Sequence, residues 1–200
     1  MYINPFLVNF TSIALQIHGA AIPFAIEIAF VVIALLIASS IVWSTIRVGI
    51  SPMPSSNKAR NAIIKLAENT GTGPIYDLGS GWGGLAVQLA KQYPQRQIVG
   101  YEASLLPWLV SVWYKNLAGL NNLTFKKQNF LEVEFASADL LVCYLHPQGM
   151  AEIAQKLSHQ GNFAGFLISH NFALPSTSPE HTLTVADFYR SPVYRYRLTI

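Results

Sequence analysis

The uneven placement of charged residues is the feature that most constrains the fold of this 200-residue chain. Residues 1–46 carry a single charged side chain, Glu27, whereas all thirteen Lys and Arg lie at Arg47 or beyond. The charged fraction of the whole chain is 12%, about half of that in an ordinary globular domain. The sequence therefore predicts two parts, one in contact with lipid and one in water, and its length suits a single domain plus a short extra segment.

The lipid-facing part centres on residues 28–46, an apolar run without a charge that residues 24 and 25 extend. At a rise of 1.5 Å per residue, about 20 residues cross the ~30 Å hydrocarbon core of a bilayer. We therefore predict a transmembrane helix over about residues 24–46, within a membrane anchor formed by residues 1–50. Residues 5–22 are also apolar but carry polar interruptions, so a second, weaker span or an interfacial helix stays open.

The basic residues predict the orientation of this anchor. No Lys or Arg precedes the apolar run, and Arg47, Lys58, Arg60 and Lys65 follow it. The positive-inside bias then predicts a single-pass protein of the cell or inner membrane, with its catalytic domain in the cytoplasm. Two alternatives fit less well, since a cleaved signal peptide has a basic start and a shorter apolar stretch, and a surface-packed core helix has a polar face.

Beyond the anchor, residues 51–200 alternate between runs typical of strands and runs typical of helices. Strands are predicted over residues 75–78, 97–101, 123–128, 139–145 and 162–169, and helices over residues 58–69, 83–92, 105–117 and 149–158. This alternation is typical of a doubly wound α/β fold with a mostly parallel, Rossmann-like sheet. Residues 183–189 and 193–199 lie too close together for a helix between them, so they are predicted to form a C-terminal antiparallel hairpin.

A glycine-rich turn follows the first predicted strand. It reads Asp77-Leu78-Gly79-Ser80-Gly81-Trp82-Gly83-Gly84. Glycines at such a turn let the backbone approach a ligand closely. Glu102 stands at the end of the next strand, where a carboxylate can accept both hydroxyls of a ribose. Because ligands of these sheets bind beyond the carboxyl ends of the strands, the pattern predicts a nucleoside-type ligand.

The spacing Gly79-x-Gly81-x-x-Gly84, with Glu102 about 20 residues further on, also fits the fingerprint of NAD-binding domains. Three features count against NAD. Asp77 is badly placed for a turn that receives a pyrophosphate, and well placed for a cationic amino-acid group. A predicted helix precedes the first strand, and the residues after the turn leave little room for a separate substrate domain.

The turn from Asp77 to Gly83 resembles the D-x-G-x-G-x-G motif of class I S-adenosylmethionine-dependent methyltransferases. Several further pieces resemble a membrane-anchored branch of protein-lysine methyltransferases, which includes mitochondrial inner-membrane enzymes and prokaryotic relatives. These pieces are Pro54-Ser55, Gly100-Tyr101-Glu102, Pro107-Trp108-Leu109-Val110 and Pro147-Gln148. The resemblance implies a class I methyltransferase sheet, S-adenosylmethionine as the donor, and lysine of a membrane protein as the acceptor.

The same resemblance implies roles for individual residues. Glu102 would hold the ribose, and Asn129 and Phe130 would face the adenine. Relatives usually carry Asp at the position of Asn129, which weakens that assignment, although an amide can also pair with the adenine edge. The donor loop would be formed by Asp77, Gly79, Ser80, Gly81 and Gly83.

Tyr144 and His146 follow the fourth predicted strand, where the methyl group and its acceptor should meet. We predict His146 as a substrate contact or proton acceptor and Tyr144 as a lining of the acceptor channel, although strand-end hydrogen bonding and packing would also explain them. His170 and Asn171, after the fifth strand, are weaker candidates. Residues 144–148 differ from the Asn/Asp-Pro-Pro-Tyr motif of amide and adenine methyltransferases, which argues against DNA bases and glutamine as acceptors.

Charge and cysteine content argue against other classes of protein. The net charge of +3 is small and scattered, so we expect no nucleic-acid partner, whereas a weakly basic domain suits the surface of a lipid bilayer. The single cysteine, Cys143, has no partner for a disulfide or a CxxC motif, and we expect no metal. A methyltransferase acting on a lipid or quinone-like molecule, or a non-catalytic membrane adaptor with a degenerate cofactor site, are the alternatives.

Overall fold

The computed structural model describes residues 24–39 and 56–200. The chain divides into two units, Met1–Ser51 and Pro52–Ile200. In the first unit, residues 24–39 form a helix, α1, in which every residue is exposed.

The transmembrane helix is predicted over residues 24–46, and the described helix α1 covers residues 24–39 of that range. Across the two described ranges, no helix combines the length and apolarity needed to cross a membrane. Residues 40–46 of the predicted span, and residues 5–22 with their alternative of a second span, lie outside the described residues.

The second unit is built around one seven-stranded sheet. Its strands are β1 (Ile75–Leu78), β2 (Ile98–Glu102), β3 (Leu123–Lys127), β4 (Leu140–Cys143), β5 (Ala164–His170), β6 (His181–Thr184) and β7 (Pro192–Thr199). The strand order is β3-β2-β1-β4-β5-β7-β6, parallel from β3 to β5, with β7 antiparallel to both of its neighbours. The predicted Rossmann-like, mostly parallel sheet with antiparallel C-terminal strands is confirmed.

Helices connect the parallel strands and cover both faces of the sheet. They are α2 (Asn57–Leu66), α3 (Gly84–Gln92), α4 (Leu105–Ala118) and α5 (Pro147–Gln160), with a short 3-10 helix at Phe130–Glu132. The wholly apolar β4 shows why two layers are needed. Leu140 and Val142 pack into one core, and Leu141 and Cys143 pack into the other, so every residue of the strand is buried.

The predicted boundaries agree with the structure to within a few residues, except in the first arm of the hairpin. A strand was expected over residues 183–189, but β6 ends at Thr184 and residues 185–191 form a loop. The reason is local. The Asp187 carboxylate accepts the N–H of Ser191 at 2.9 Å, and Arg190 adopts a φ of 50°, so the chain turns where a strand would need extended dihedrals.

The topology places the candidate residues at one edge of the sheet. β1 pairs with β2 on one side and with β4 on the other, so the strand order reverses at β1. The carboxyl ends of β1, β2, β4 and β5 therefore open onto a shared crevice, which is where open α/β sheets bind ligands. Asp77 lies near the end of β1, beside Gly100 of β2 and Val142 of β4.

Candidate active site

The turn after β1 depends on three left-handed glycines. Gly79, Gly81 and Gly83 have φ values of 79°, 53° and 80°, respectively. Side chains with a Cβ rarely adopt such angles, so the alternating glycines are what allow this backbone path. The turn ends at the first residue of α3, with Gly83 at its N-cap position.

The end of β2 holds this turn in place. The N–H groups of Gly79 and Ser80 both donate to the carbonyl oxygen of Tyr101, at 3.0 and 2.9 Å. The Glu102 carboxylate accepts the N–H of Gly81 at 2.9 Å through Oε2, and the N–H of Ser104 at 2.7 Å through Oε1. Each carboxylate oxygen has a second lone pair. Glu102 is thus oriented by the backbone and can still accept the two hydroxyls of a ribose.

Two of the glycines face different surroundings. A Cβ on Gly83 would lie 2.7 Å from both Phe125 Cζ and Ser111 Cβ, so this glycine permits close packing of the turn against buried neighbours. A Cβ on Gly81 would meet no atom of the described residues within 4 Å. The space beside Gly81 is open at the edge of the crevice, so this position, rather than Gly83, is where a ligand can touch the turn.

Asp77 carries a carboxyl group that is buried beside the turn. Its side chain is 3% exposed, and Oδ2 has no hydrogen-bond partner among the described residues. Burial and, secondly, the nearby Glu102 carboxylate raise the pKa of Asp77 from 3.8 to about 7, against an opposing hydrogen bond from the Ala86 backbone. A buried carboxylate oxygen without a donor is costly. An ammonium group would satisfy it, so the residues present fit the amino-acid end of S-adenosylmethionine.

The turn after β3 lies next to Glu102, since the N–H of Gln128 donates to the Glu102 carbonyl at 3.1 Å. Asn129 is exposed, and its Oδ1 accepts the N–H of Leu131 at 3.0 Å, which caps the 3-10 helix. That bond leaves the amide NH₂ as a donor. Phe130 is half-buried and packs against the core that contains Leu141 and Cys143. The adenine contact of these two residues stays a prediction.

The other half of the crevice lies at the ends of β4 and β5. Tyr144 directly follows β4, and its ring centroid lies 4.4 Å from that of His170, the last residue of β5. His170 is only 5% exposed, and neither of its ring nitrogens has a partner among the described residues. Burial lowers the pKa of His170, and the Asp187 carboxylate partly opposes this shift.

His146 is the N-cap residue of α5, but its side chain makes no capping hydrogen bond. Its Nδ1 atom is buried and has no partner among the described residues. A Cβ on Gly149 would lie 3.2 Å from this nitrogen, so glycine there makes room for the imidazole. Strand-end hydrogen bonding, the ordinary interpretation of this histidine, is therefore not observed for Nδ1.

Two further residues that shape the site, Ser104 and Phe125, were not predicted from the sequence. The backbone N–H of Ser104 orients the Glu102 carboxylate, and Phe125 fills the space beside Gly83 and Gly100. Ser104 stands at the N-cap of α4, and a serine just before an apolar helix is a recognisable helix start. Phe125 gave no comparable signal, because its contacts arise only when β3 pairs with β2.

Parts of the chain are similar to a known protein family and to curated proteins. The model of a family described as the ANTKMT methyltransferase domain matches residues 77–181, just over half of the chain. A Mus musculus protein, named as a lysine N-methyltransferase of an ATP synthase subunit, is 30% identical over 136 residues, covering 65% of this chain and 52% of that protein. A protein-lysine N-methyltransferase of Saccharolobus islandicus is 22% identical over 138 residues, covering 68% of this chain and 84% of that protein. The chain thus spans about half the length of the mouse protein.

A solved structure shares the fold. The crystal structure of an RNA methyltransferase from Salinibacter ruber in complex with S-adenosyl-L-homocysteine matches with a TM-score of 0.65 and 23% identity. The match covers 72% of this chain and 93% of that one. At this identity it shows a common fold and nothing about the acceptor. The matched family range begins at Asp77 and includes the glycine turn, Glu102, Tyr144 and His146.

Proposed function

Because the chain belongs to the family of ANTKMT methyltransferase domains, we propose that it transfers methyl groups from S-adenosylmethionine to lysine side chains of a membrane protein. Family membership confirms the predicted resemblance to class I methyltransferases and the predicted donor. The choice of lysine is supported by the mouse and Saccharolobus islandicus relatives, both of which are named as lysine N-methyltransferases. The membrane-bound substrate rests on the apolar N-terminal segment.

One observation carries the donor site. Asp77 presents a buried oxygen without a partner among the described residues, and Glu102 lies across the turn with its carboxylate fixed by two backbone N–H groups. In our proposal, Asp77 binds the ammonium of the donor and Glu102 binds the ribose. Asn129 donates to the adenine edge from its amide, and Phe130 supplies an apolar wall. The turn itself comprises Gly79, Ser80, Gly81 and Gly83.

Methyl transfer from this donor requires mainly positioning by the protein. The donor, when bound, supplies an activated methyl group on a sulfonium, so the main task is to align a lone pair with it. A lysine side chain has a pKa of about 10.4 in water and must become neutral to offer that lone pair. Burial beside Tyr144 would favour the neutral amine. His170, kept uncharged by its burial, or His146 can accept the departing proton at a ring nitrogen.

The proposed anchor consists of residues 1–50, with α1 as the described part. Phe24, Phe30 and Leu36 are among its large apolar side chains, which are 64%, 69% and 65% exposed. Such a surface favours an apolar environment over water. About ten residues separate Ile46, the end of the predicted span, from α2 at Asn57, and a stretch of that length reaches at most ~35 Å. We propose that this linker confines the catalytic domain, on the cytoplasmic side, to substrates near the membrane.

The test uses purified full-length protein, methyl-labelled donor and membranes from cells that lack the protein. After incubation, label in protein is separated from label in lipid, and modified proteins are digested and analysed for methyl-lysine by mass spectrometry. Asp77→Asn is the variant with weakened donor binding. Glu134→Gln, which makes the same change from acid to amide at an exposed position, is the matched control.

The proposal expects methyl-lysine in an integral membrane protein with the wild type and Glu134→Gln, and much less of it with Asp77→Asn at a limiting donor concentration. Label in lipid instead of protein would identify the small-molecule alternative. Donor binding without any transfer would identify a non-catalytic adaptor. Equal labelling of soluble and membrane proteins would leave the lysine assignment intact and overturn the membrane substrate.

A further inference from the structure

The loop between β6 and β7, residues 185–191, lies at the same edge of the sheet as the site. β7 is antiparallel to both β5 and β6, so β6 runs in the direction of the parallel strands and its carboxyl end points to their carboxyl edge. The N–H of Asn171, just after β5, donates to the carbonyl of Pro192 at 2.8 Å. The Asp187 carboxylate is close enough to His170 to influence its pKa. The loop therefore borders the proposed acceptor side of the crevice.

The base of this loop is held closed by hydrogen bonds. The N–H of Val185 donates to the carbonyl of Ser191 at 2.8 Å, and the N–H of Arg190 donates to the carbonyl of Asp187 at 3.2 Å. Both the N–H and the hydroxyl of Ser191 donate to the Asp187 carboxylate. Val185 is buried in the core that contains Leu140 and Val142. The residues at the tip are thus presented by a defined turn.

The tip of the loop presents two solvent-exposed aromatic side chains, Phe188 and Tyr189. Phe188 is 93% exposed and Tyr189 is 85% exposed, and their rings meet edge to face at a centroid distance of 5.3 Å. Single exposed apolar residues are common on protein surfaces. Two adjacent aromatic side chains with almost no contact to the core, on a turn fixed at its base, gain nothing from the fold and require another explanation.

Positive charge lies on both sides of the rings. Arg190 follows them and is exposed, and Lys58 of α2 donates from Nζ to the carbonyl of Ala186 at 2.6 Å. The one acidic group of the loop, Asp187, is bound to Ser191. Lys58 lies two residues after Ser56, the N-cap of α2. The loop therefore contacts the first turn of α2, the first described helix of this unit.

We propose that Phe188 and Tyr189 insert into the interface of an anionic lipid bilayer and seat the acceptor side of the crevice against it. Aromatic rings favour the headgroup region, where an apolar ring and a polar hydroxyl are both accommodated. Lys58 and Arg190 complement anionic headgroups at the same depth. The inference deepens the proposed function, on which its membrane-bound substrate rests, by assigning the surface that contacts lipid.

Fluorescence of a single label tests the contact without any methyl transfer. The chain has one cysteine, Cys143, which is buried, so Phe188→Cys can be labelled selectively with an environment-sensitive dye. Asn121→Cys is the matched control. Asn121 is exposed and precedes β3, which lies at the other end of the strand order from β6. Full-length protein is reconstituted in vesicles of phosphatidylcholine alone, or with phosphatidylglycerol added to about one third.

The proposal expects a blue shift and a roughly twofold or greater gain in emission at position 188 in the anionic vesicles, a smaller gain in neutral vesicles, and neither at position 121. A label at position 188 that reports water in both kinds of vesicle would overturn the contact. Equal shifts at positions 188 and 121 would show that the domain meets the bilayer without using this loop, which also overturns it. None of these readouts depends on the methyltransferase activity.

A second arm separates lipid from a protein partner. The double variant Phe188→Ala, Tyr189→Ala should methylate a membrane-embedded acceptor roughly threefold to tenfold more slowly, with unchanged donor affinity. In detergent, where no bilayer surface exists, the variant and the wild type should act equally on the same acceptor. An equal loss in detergent would mean that the loop binds the substrate protein, and the lipid contact would be wrong. Absence of transfer by the wild type as well would count against the proposed function and leave the fluorescence result standing.

Discussion

The two halves of the crevice are built differently. In the donor half, formed by Asp77, the glycine turn and Glu102, backbone N–H groups fix both the turn and the Glu102 carboxylate, and only Asp77 Oδ2 is a buried oxygen of the two carboxylates without a partner among the described residues. In the acceptor half, formed by Tyr144, His146 and His170, buried ring nitrogens have no hydrogen-bond partner among the described residues. Hydrogen-bonded backbone keeps one shape, whereas unpartnered polar groups await a ligand. In the proposed function, the donor is thus received by a backbone-fixed turn with one unsatisfied carboxylate oxygen, and the acceptor half is completed by its substrate.

The largest expected effect separates packing from binding within the donor half. Gly83→Ala forces a Cβ into Phe125 and Ser111 at a φ of 80°, and we expect it to lower the free energy of unfolding by about 2–5 kcal/mol. Gly81→Ala, with open space around its Cβ, should lower it by only about 1–2 kcal/mol and weaken donor binding instead. Urea denaturation and calorimetry measure the two quantities. Equal destabilisation by both substitutions would contradict the separate roles.

The next effect tests whether Asp77 serves binding at a cost to stability. Asp77→Asn removes the ammonium partner and should weaken donor binding by about 1–3 kcal/mol. Near pH 8 the variant should be at least as stable as the wild type, because the buried carboxylate is the costly form. Calorimetry and thermal unfolding of both proteins, with Glu134→Gln as control, give the answer. A variant that binds the donor normally removes Asp77 from the site.

In the acceptor half, His170→Phe keeps a ring against Tyr144 and removes both nitrogens. We expect the rate of methyl transfer to fall roughly tenfold to a hundredfold, with donor affinity unchanged and the fold no less stable. Single-turnover kinetics with saturating donor isolates the transfer step. If the rate is unaffected while His146→Phe lowers it, the proton acceptor is His146 and His170 is a packing residue.

The smallest effect is a pH dependence confined to the donor half. With its pKa near 7, Asp77 is largely protonated at pH 6 and must release that proton to bind an ammonium. Donor affinity should therefore rise about tenfold between pH 6 and 8. The stability of the free fold runs the opposite way and falls between about pH 4 and 7, since the unfolded carboxyl ionises first. Titration calorimetry should show proton release at pH 6 that is absent in Asp77→Asn.

The same contrast explains what could be predicted from the sequence. The donor half follows from local rules, because three glycines and an acid near the end of each of two strands have meaning at fixed spacings. The acceptor half depends on the pairing of β4 with β5, which brings Tyr144 to His170, and no spacing in the sequence encodes that distance. The end of β6 was missed for a related reason, since the Asp187–Ser191 bonds that turn the chain look like ordinary loop chemistry.

The insertion of β7 between β5 and β6 imposes an order on assembly. β6 is synthesised before β7, and among the described residues β7 is the one strand that pairs with it. Until residues 192–199 emerge, β6 has no place to dock and β5 presents an open edge that invites wrong pairing. The strands of the donor half, β1 to β3, are all synthesised by Lys127. A nascent chain therefore holds the residues of its glycine turn long before β7 can cover the edge of β5 and close the border of the acceptor half.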